Sequence, residues 1–177
     1  IGAAMNSDPK TTASLHDLIE RLSHGIKMDF EVKRMEPLFT DEADYEKFRT
    51  RHASHDVKKG DLATYEGNCY LGIDAGSTTT KVALVGEDGS LLYRFYSNNN
   101  GSPLATAIRA MQEIHDQLPE KAQIAYSCST GYGEALLKSA LMLDEGEVET
   151  ISHYYAAAAF EPDVDCILDI GGQDMKC

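Results

Sequence analysis

Two short runs carry residue types that can hold phosphate: Asp74-Ala-Gly-Ser-Thr-Thr-Thr-Lys81 and Asp169-Ile-Gly-Gly-Gln-Asp-Met-Lys176. Each follows an apolar stretch that ends at the Asp, and in each a Lys stands seven positions beyond that Asp. Gly76 and the Gly171-Gly172 pair permit positive φ and close backbone approach, so successive N–H groups can turn inward as an anion nest. Ser77, Thr78, Thr79 and Thr80 add hydroxyl donors, and Lys81 or Lys176 supplies an ammonium as a point charge. Asp74 and Asp169, each at a strand end, would repel one another in a shared cleft unless a cation lay between them. Magnesium suits that place, because it binds through one or two carboxylates plus phosphate oxygens and keeps its other waters. Gln173 or Asp174 is then positioned to orient an attacking water. A lone Asp-x-Gly run is more often an ordinary tight hairpin, but two at matched spacing reverse that preference. No Gly directly precedes Lys81, which excludes a P-loop.

The elements that must position these runs are legible from apolar periodicity. From Asn68 the period is two, with Cys69, Leu71 and Ile73 on one face, which predicts a strand ending at Asp74. Strands over 81–85 and 91–96 flank Glu87-Asp88-Gly89, a hairpin signal, so three antiparallel strands are expected. Asn98 to Ser102 reads as a loop. A helix follows, with Leu104, Ile108, Met111, His115 and Leu118 on one face, stopping before Pro119. Further expectations are a strand over 123–127, helices over 133–141 and 151–160, and a strand over 165–170. The order βββαβααβ predicts an α/β fold with a mixed sheet.

Ahead of this lies a different kind of sequence. Leu15, Leu18, Ile19, Leu22 and Ile26 predict an amphipathic packing helix starting near Thr12 to Ser14, and a second helix begins at Asp41 with Tyr45 and Phe48 on one face. Residues 1–66 are therefore expected to be a helical leader or connector, and 67–177 the α/β part. The chain reads as an excerpt, since it begins at Ile1 and stops one residue after the second phosphate run.

Composition narrows the function classes. Apolar residues make up 42% and charged residues 25%, which suits a globular protein, and 16 basic against 29 acidic residues give a net charge of −13, which argues against nucleic acid. No apolar run reaches membrane-spanning length, and no signal peptide precedes the fold, so a cytoplasmic protein without a membrane partner is expected. Cys69, Cys128, Cys166 and Cys177 show no CxxC spacing and read as reduced thiols rather than cluster ligands. His52 and His55 fit a solvated helix face, His153 a hydrogen-bonded core or interface histidine, and the acids from Asp144 to Glu149 a solvated loop.

Leu71-Gly-Ile-Asp-Ala-Gly-Ser-Thr-Thr-Thr-Lys81 and Leu168-Asp-Ile-Gly-Gly-Gln-Asp-Met-Lys176 resemble the ATP-dependent activators of 2-hydroxyacyl-CoA dehydratases, relatives of the benzoyl-CoA reductase ATPase subunits. Ser129-Thr-Gly-Tyr-Gly133 and Glu149-Thr-Ile-Ser-His-Tyr-Tyr-Ala-Ala157 resemble two further family motifs, although Glu134 stands where an Arg is usual. The resemblance implies an actin-like ATPase with ribonuclease-H-like halves, of which 67–177 would be the N-terminal one. It implies a dimer holding a [4Fe-4S] cluster whose ligands lie outside this chain, with ATP hydrolysis driving an electron onto the dehydratase. It carries catalytic roles and Mg²⁺ to Asp74 and Asp169, with Gln173 at the water, and phosphate contact to Gly76, Ser77, Thr78, Thr79, Lys81, Gly131, Gly171 and Gly172. Lacking the second half of the cleft, the chain itself is expected to bind MgATP weakly. A sugar or small-acid kinase of the same fold, or a degenerate repeat used for docking or dimerisation, are the other readings.

Overall fold

The computed structural model describes residues 5–8, 10, 12–25, 35–171 and 175–177. The chain divides into two compact units, residues 1–53 and 54–177.

Two helices of the first unit lie wholly among the described residues. Helix α1 (Leu15–Ser23) is closed at its N-terminus by a capping box: Ser14 Oγ accepts from the Asp17 N–H, and the Asp17 carboxylate accepts from the Ser14 N–H. The helix forms where the periodicity predicts it, yet Leu15, Leu18, Ile19 and Leu22 are all exposed, so among the described residues none of the apolar stripe is buried. Ile26 lies outside the described residues. Helix α2 (Glu42–Ala53) starts at Asp41, whose carboxylate accepts from the Asp44 N–H, and Phe39 folds back edge-on against Tyr45 and Phe48.

The second unit is built on a five-stranded mixed sheet. Strands β1 (Gly67–Ala75), β2 (Thr79–Gly86) and β3 (Leu91–Asn98) form an antiparallel meander, and β4 (Ala122–Thr130) and the two-residue β5 (Glu145–Gly146) run parallel to β1, giving the order β3-β2-β1-β4-β5. The β2–β3 turn is the expected one, with Gly89 at φ +77° donating its N–H to the Gly86 carbonyl. Helices α3 (Pro103–Gln117), α4 (Glu134–Leu141) and α5 (Glu149–Phe160) intervene, and a separate hairpin of β6 (Asp169–Ile170) and β7 (Met175–Lys176) ends the chain. Residues 165–168, expected as strand, pair with no strand among the described residues. β5 and β7 are additions to the expected order.

One face of the sheet is the core. Cys69, Leu71, Ile73 and Ala75 of β1 alternate inward and meet Val82 and Leu84 of β2, Leu92 of β3, Ala107, Ala110 and Ile114 of α3, and Leu137 of α4 in a single cluster. The opposite face is open, with Tyr70, Ile124 and Tyr126 exposed. Helix α3 keeps part of its expected face, with Leu104, Met111 and Leu118 packed against the core, but Thr106, Ala107, Ala110 and Ile114 are buried and Ile108 and His115 are left outside, because small residues let the helix approach the sheet closely. Residues 54–66, expected as connector, belong to this unit: Leu62 enters the core, Gly60 donates to Leu91, and the Tyr65 hydroxyl donates to the Asn68 carbonyl. The compact unit thus begins ahead of the boundary expected at residue 67.

The helix setting has a direct check. Ile114 is 2% exposed and Ile108 40%; Ile114→Ala should therefore remove about 2–5 kcal/mol of stability and Ile108→Ala at most about 0.5 kcal/mol, as read by urea unfolding. Equal losses would mean that α3 presents its other face.

Candidate functional site

The first phosphate run is the tip of the β1–β2 hairpin. Asp74 and Lys81 are directly opposed across the ladder, and the Lys81 ammonium donates to Asp74 Oδ2 at 2.9 Å. Between them Gly76 donates its N–H to the Thr79 carbonyl at 2.9 Å. Its φ is not positive; what favours glycine is space, since a Cβ would stand a tight 3.1 Å from that carbonyl oxygen. Ser77 and Thr78 present exposed hydroxyls and Thr79 is half-buried, whereas Thr80 turns into the core and donates to Asn99 Oδ1 at 2.7 Å. Thr80 is thereby removed from the expected hydroxyl donors. Asn99, read from sequence as plain loop, is buried and buckles the tip: its Nδ2 donates to the Gly76 carbonyl and its N–H to the Thr78 carbonyl, both at 2.8 Å.

A second turn closes on this hairpin. Gly133 donates its N–H to the Ala75 carbonyl at 2.8 Å, and Gly131, at φ +85°, sits so close that a Cβ would lie 2.6 Å from Asp74 Oδ1 and 2.9 Å from the Ala75 oxygen. The Thr-Gly-Tyr-Gly run therefore serves as a spacer-free contact with the end of β1. Glu134 follows as the first residue of α4 with its carboxylate against Gly146.

The acidic run is more than a solvated loop. Ser127 donates from Oγ and N–H to Asp144, Tyr126 donates to Glu145, and the Thr130 hydroxyl and Glu147 N–H tie the segment to the end of β4. These bonds deliver Glu149, the first residue of α5, to a pocket of about 510 Å³. The first hairpin contributes Asp74, Gly76 to Thr79 and Lys81 to that pocket, the second turn contributes Gly131 and Tyr132, and the second phosphate run contributes Gly171. Glu149 was not singled out as a site residue by sequence reasoning; the one available signal was its place at the N-terminus of a helix whose central His was noticed.

The second phosphate run forms the β6–β7 hairpin, again with Asp opposite Lys: Asp169 pairs in register with Lys176. Here the charges divide. Asp169 Oδ2 lies 3.1 Å from His153 Nδ1, and the Lys176 ammonium lies 3.4 Å from Glu149 Oε2. Gly172, Gln173 and Asp174 lie outside the described residues. Asp169 lines a neighbouring cavity of about 320 Å³ with His153, Cys166 and Cys177, whose sulfurs are 3.9 Å apart. Cys69 is buried in the core and burial pushes its thiol pKa up, as it does for Cys128; at Cys166 it is the neighbouring Cys177 that does so.

The sequence profile of the BadF/BadG/BcrA/BcrD ATPase family matches residues 71–177. The chain belongs to this family. Among curated relatives, the (R)-2-hydroxyglutaryl-CoA dehydratase activating ATPase of Acidaminococcus fermentans is 31% identical over 107 residues, which is 60% of this chain and 40% of that protein. The Escherichia coli protein YjiL is 32% identical over 106 residues, 60% of this chain and 39% of its own length. The chain thus spans about two fifths of the length of these relatives. Component A of the Acidaminococcus fermentans (R)-2-hydroxyglutaryl-CoA dehydratase has a similar structure, with TM-score 0.53 at 25% identity over 62% of this chain and 41% of that one. The activator of the 2-hydroxyisocaproyl-CoA dehydratase from Clostridium difficile, with bound ADPNP, shares the fold at TM-score 0.50 and 24% identity over 60% and 39%. The fold of this family member is accordingly ribonuclease-H-like, of the actin-like ATPase kind. No helix among its described residues is long and apolar enough to cross a membrane.

Two changes probe how the site is held. Gly131→Ala should cost about 1–3 kcal/mol in urea unfolding, through the φ and the Asp74 clash together; a loss below about 0.5 kcal/mol would show that the turn stands off from β1. The Ser127 hydroxyl, and secondarily its N–H, hold the Asp144 carboxyl below the usual range. A depressed folded pKa stabilises the fold above the unfolded value of about 3.9 and loses that contribution as pH falls through the lower folded value. Ser127→Ala should therefore flatten part of the acid limb below about pH 4 and leave the slope at pH 7 unchanged.

Proposed function

We propose that this pocket takes the phosphates of MgATP, and that the whole protein is an activating ATPase for a 2-hydroxyacyl-CoA dehydratase or a benzoyl-CoA-reductase-like enzyme. The observation that carries the reading is the meeting of the first hairpin tip, Lys81 and Gly171 of the second hairpin around one pocket of about 510 Å³. Backbone N–H groups and the hydroxyls of Ser77, Thr78 and Thr79 would receive phosphate oxygens, and Lys81 would exchange part of its contact with Asp74 for one with phosphate. Asp74 and Asp169 offer the hard oxygen donors that Mg²⁺ prefers, and Mg²⁺ would supply neutralisation of the phosphate charge. Gly131 would keep the floor of the pocket open by carrying no side chain, Gly171 and Gly172 would bring backbone donors from the second loop, and Gln173 would orient the water. The printed name of the Acidaminococcus fermentans relative and the ADPNP in the Clostridium difficile structure support nucleotide and dehydratase as partners.

The same reading gives the whole protein a [4Fe-4S] cluster shared in a homodimer and an electron delivered to the dehydratase, in the cytoplasm. The residues here do not fit such a cluster by themselves. Four thiolates are its usual ligands, whereas only Cys166 and Cys177 approach one another among the described residues, and Cys69 lies in the core.

The nucleotide assignment is tested by calorimetry of MgATP binding to the whole protein. Lys81→Ala should weaken binding by about 10- to 100-fold, the range of a charge-assisted hydrogen bond at about 1.5–3 kcal/mol. Unchanged affinity, or ATP turnover that survives both Asp74→Ala and Asp169→Ala, would remove the phosphates from this pocket.

A further inference from the structure

A group of ligating side chains borders the phosphate pocket: Glu149 also lines that pocket, and Asp169 is shared with the magnesium proposal, but His153 belongs to neither. Glu149 and His153 stand four residues apart on α5, so they share a helix face, and Asp169 reaches them from β6. One ligand atom from each of the three lies within 4.8 Å of the others. A first-row divalent ion holds its ligands at about 2.0–2.2 Å, which puts any two of them roughly 3 to 4.3 Å apart. The 3.1 Å between His153 Nδ1 and Asp169 Oδ2 corresponds to an adjacent pair on such an ion.

We propose that Glu149, His153 and Asp169 form a binding site for a divalent transition metal of the class that accepts imidazole: Mn²⁺, Fe²⁺, Co²⁺ or Zn²⁺. The site is distinct in kind from the magnesium proposed at the phosphate loops and does not depend on that reading, although Asp169 is common to both. An imidazole nitrogen selects against Mg²⁺, which favours oxygen donors and parts reluctantly with its waters. Two carboxylates meet an imidazole here, and the Lys176 ammonium lies 3.4 Å from Glu149. A bound dication would take the place of that ammonium and free Lys176 toward the phosphate pocket, which Glu149 also lines. The three donor side chains are between a quarter and a half exposed, which leaves room for ligand waters. Cys166 and Cys177 border the same cavity, but both must lose a proton to ligate, and the Cys166 thiol is pushed up by its neighbour. The assigned donors are therefore nitrogen and oxygen. The competing account is a purely structural ion-pair network that fastens the second hairpin to α5.

The full 177-residue chain, stripped of metal and without nucleotide, should be titrated with Co²⁺ and followed by visible absorption and calorimetry. One Co²⁺ per chain is expected, with ligand-field bands and without a sulfur-to-cobalt charge-transfer band. His153→Ala and Glu149→Gln should each weaken it at least about tenfold, with far-ultraviolet circular dichroism confirming that the variants fold. Lys176→Gln should tighten Co²⁺ binding severalfold by removing the competing charge. Absence of stoichiometric Co²⁺ binding, binding indifferent to His153→Ala, displacement by equimolar Mg²⁺, or a thiolate band lost in Cys166→Ser would each overturn the assignment. None of these readouts involves ATP, so their failure would leave the Lys81 result standing, and the reverse.

Discussion

The parallel pairing of β1 with β4 is the constraint from which the site follows. Because the two strands run the same way, Asp74↔Thr130 is the last paired rung, and both chains leave the sheet at one edge. The hairpin tip after β1 and the glycine turn after β4 are thus forced into contact, where Gly133 donates to Ala75 and Gly131 lies against Asp74. An antiparallel pairing would put the two turns at opposite ends of the sheet. The following segment is held to β4 by Ser127, Ser129 and Thr130, so helix α5 begins at that same edge and carries Glu149 with it.

The matched spacing of the two phosphate runs has a simple origin: in a hairpin with this loop length the Asp and the Lys are cross-strand neighbours. The electrostatic outcome nevertheless differs. In the first hairpin the pair closes on itself, and Asn99 completes a self-contained tip. In the second the Asp turns to His153 and the Lys to Glu149, so a two-rung hairpin, too short to persist alone, is fastened to a helix at both strands. One element is stiff by itself and the other borrows its position, which makes α5 the member that relates them.

Much of this was readable in the sequence because strands betray themselves by alternation. Cys69, Leu71 and Ile73, the Asp88-Gly89 turn and the helix starts expected near Ser14 and at Asp41 each led to an element close to its observed bounds. The face of α3 was legible only in part: Leu104, Met111 and Leu118 pack on the core as their spacing suggests, but apolar size also suggested Ile108 while the structure buries Ala107 and Ala110, and small side chains leave little mark on a periodicity count. Asn99 and Glu149 escaped for a different reason. Their roles rest on partners distant in sequence, Gly76 and Thr80 for the one and Lys176 for the other, and a polar residue next to a loop looks the same whether solvated or buttressing.

Gly131 sets a limit of a different sort, on which sequences the fold can explore. Every coding change that replaces it adds a carbon where the Asp74 carboxylate and the Ala75 carbonyl already stand, on a backbone angle that side chains rarely adopt. A chain that loses this glycine must shift the end of β1 or carry the strain.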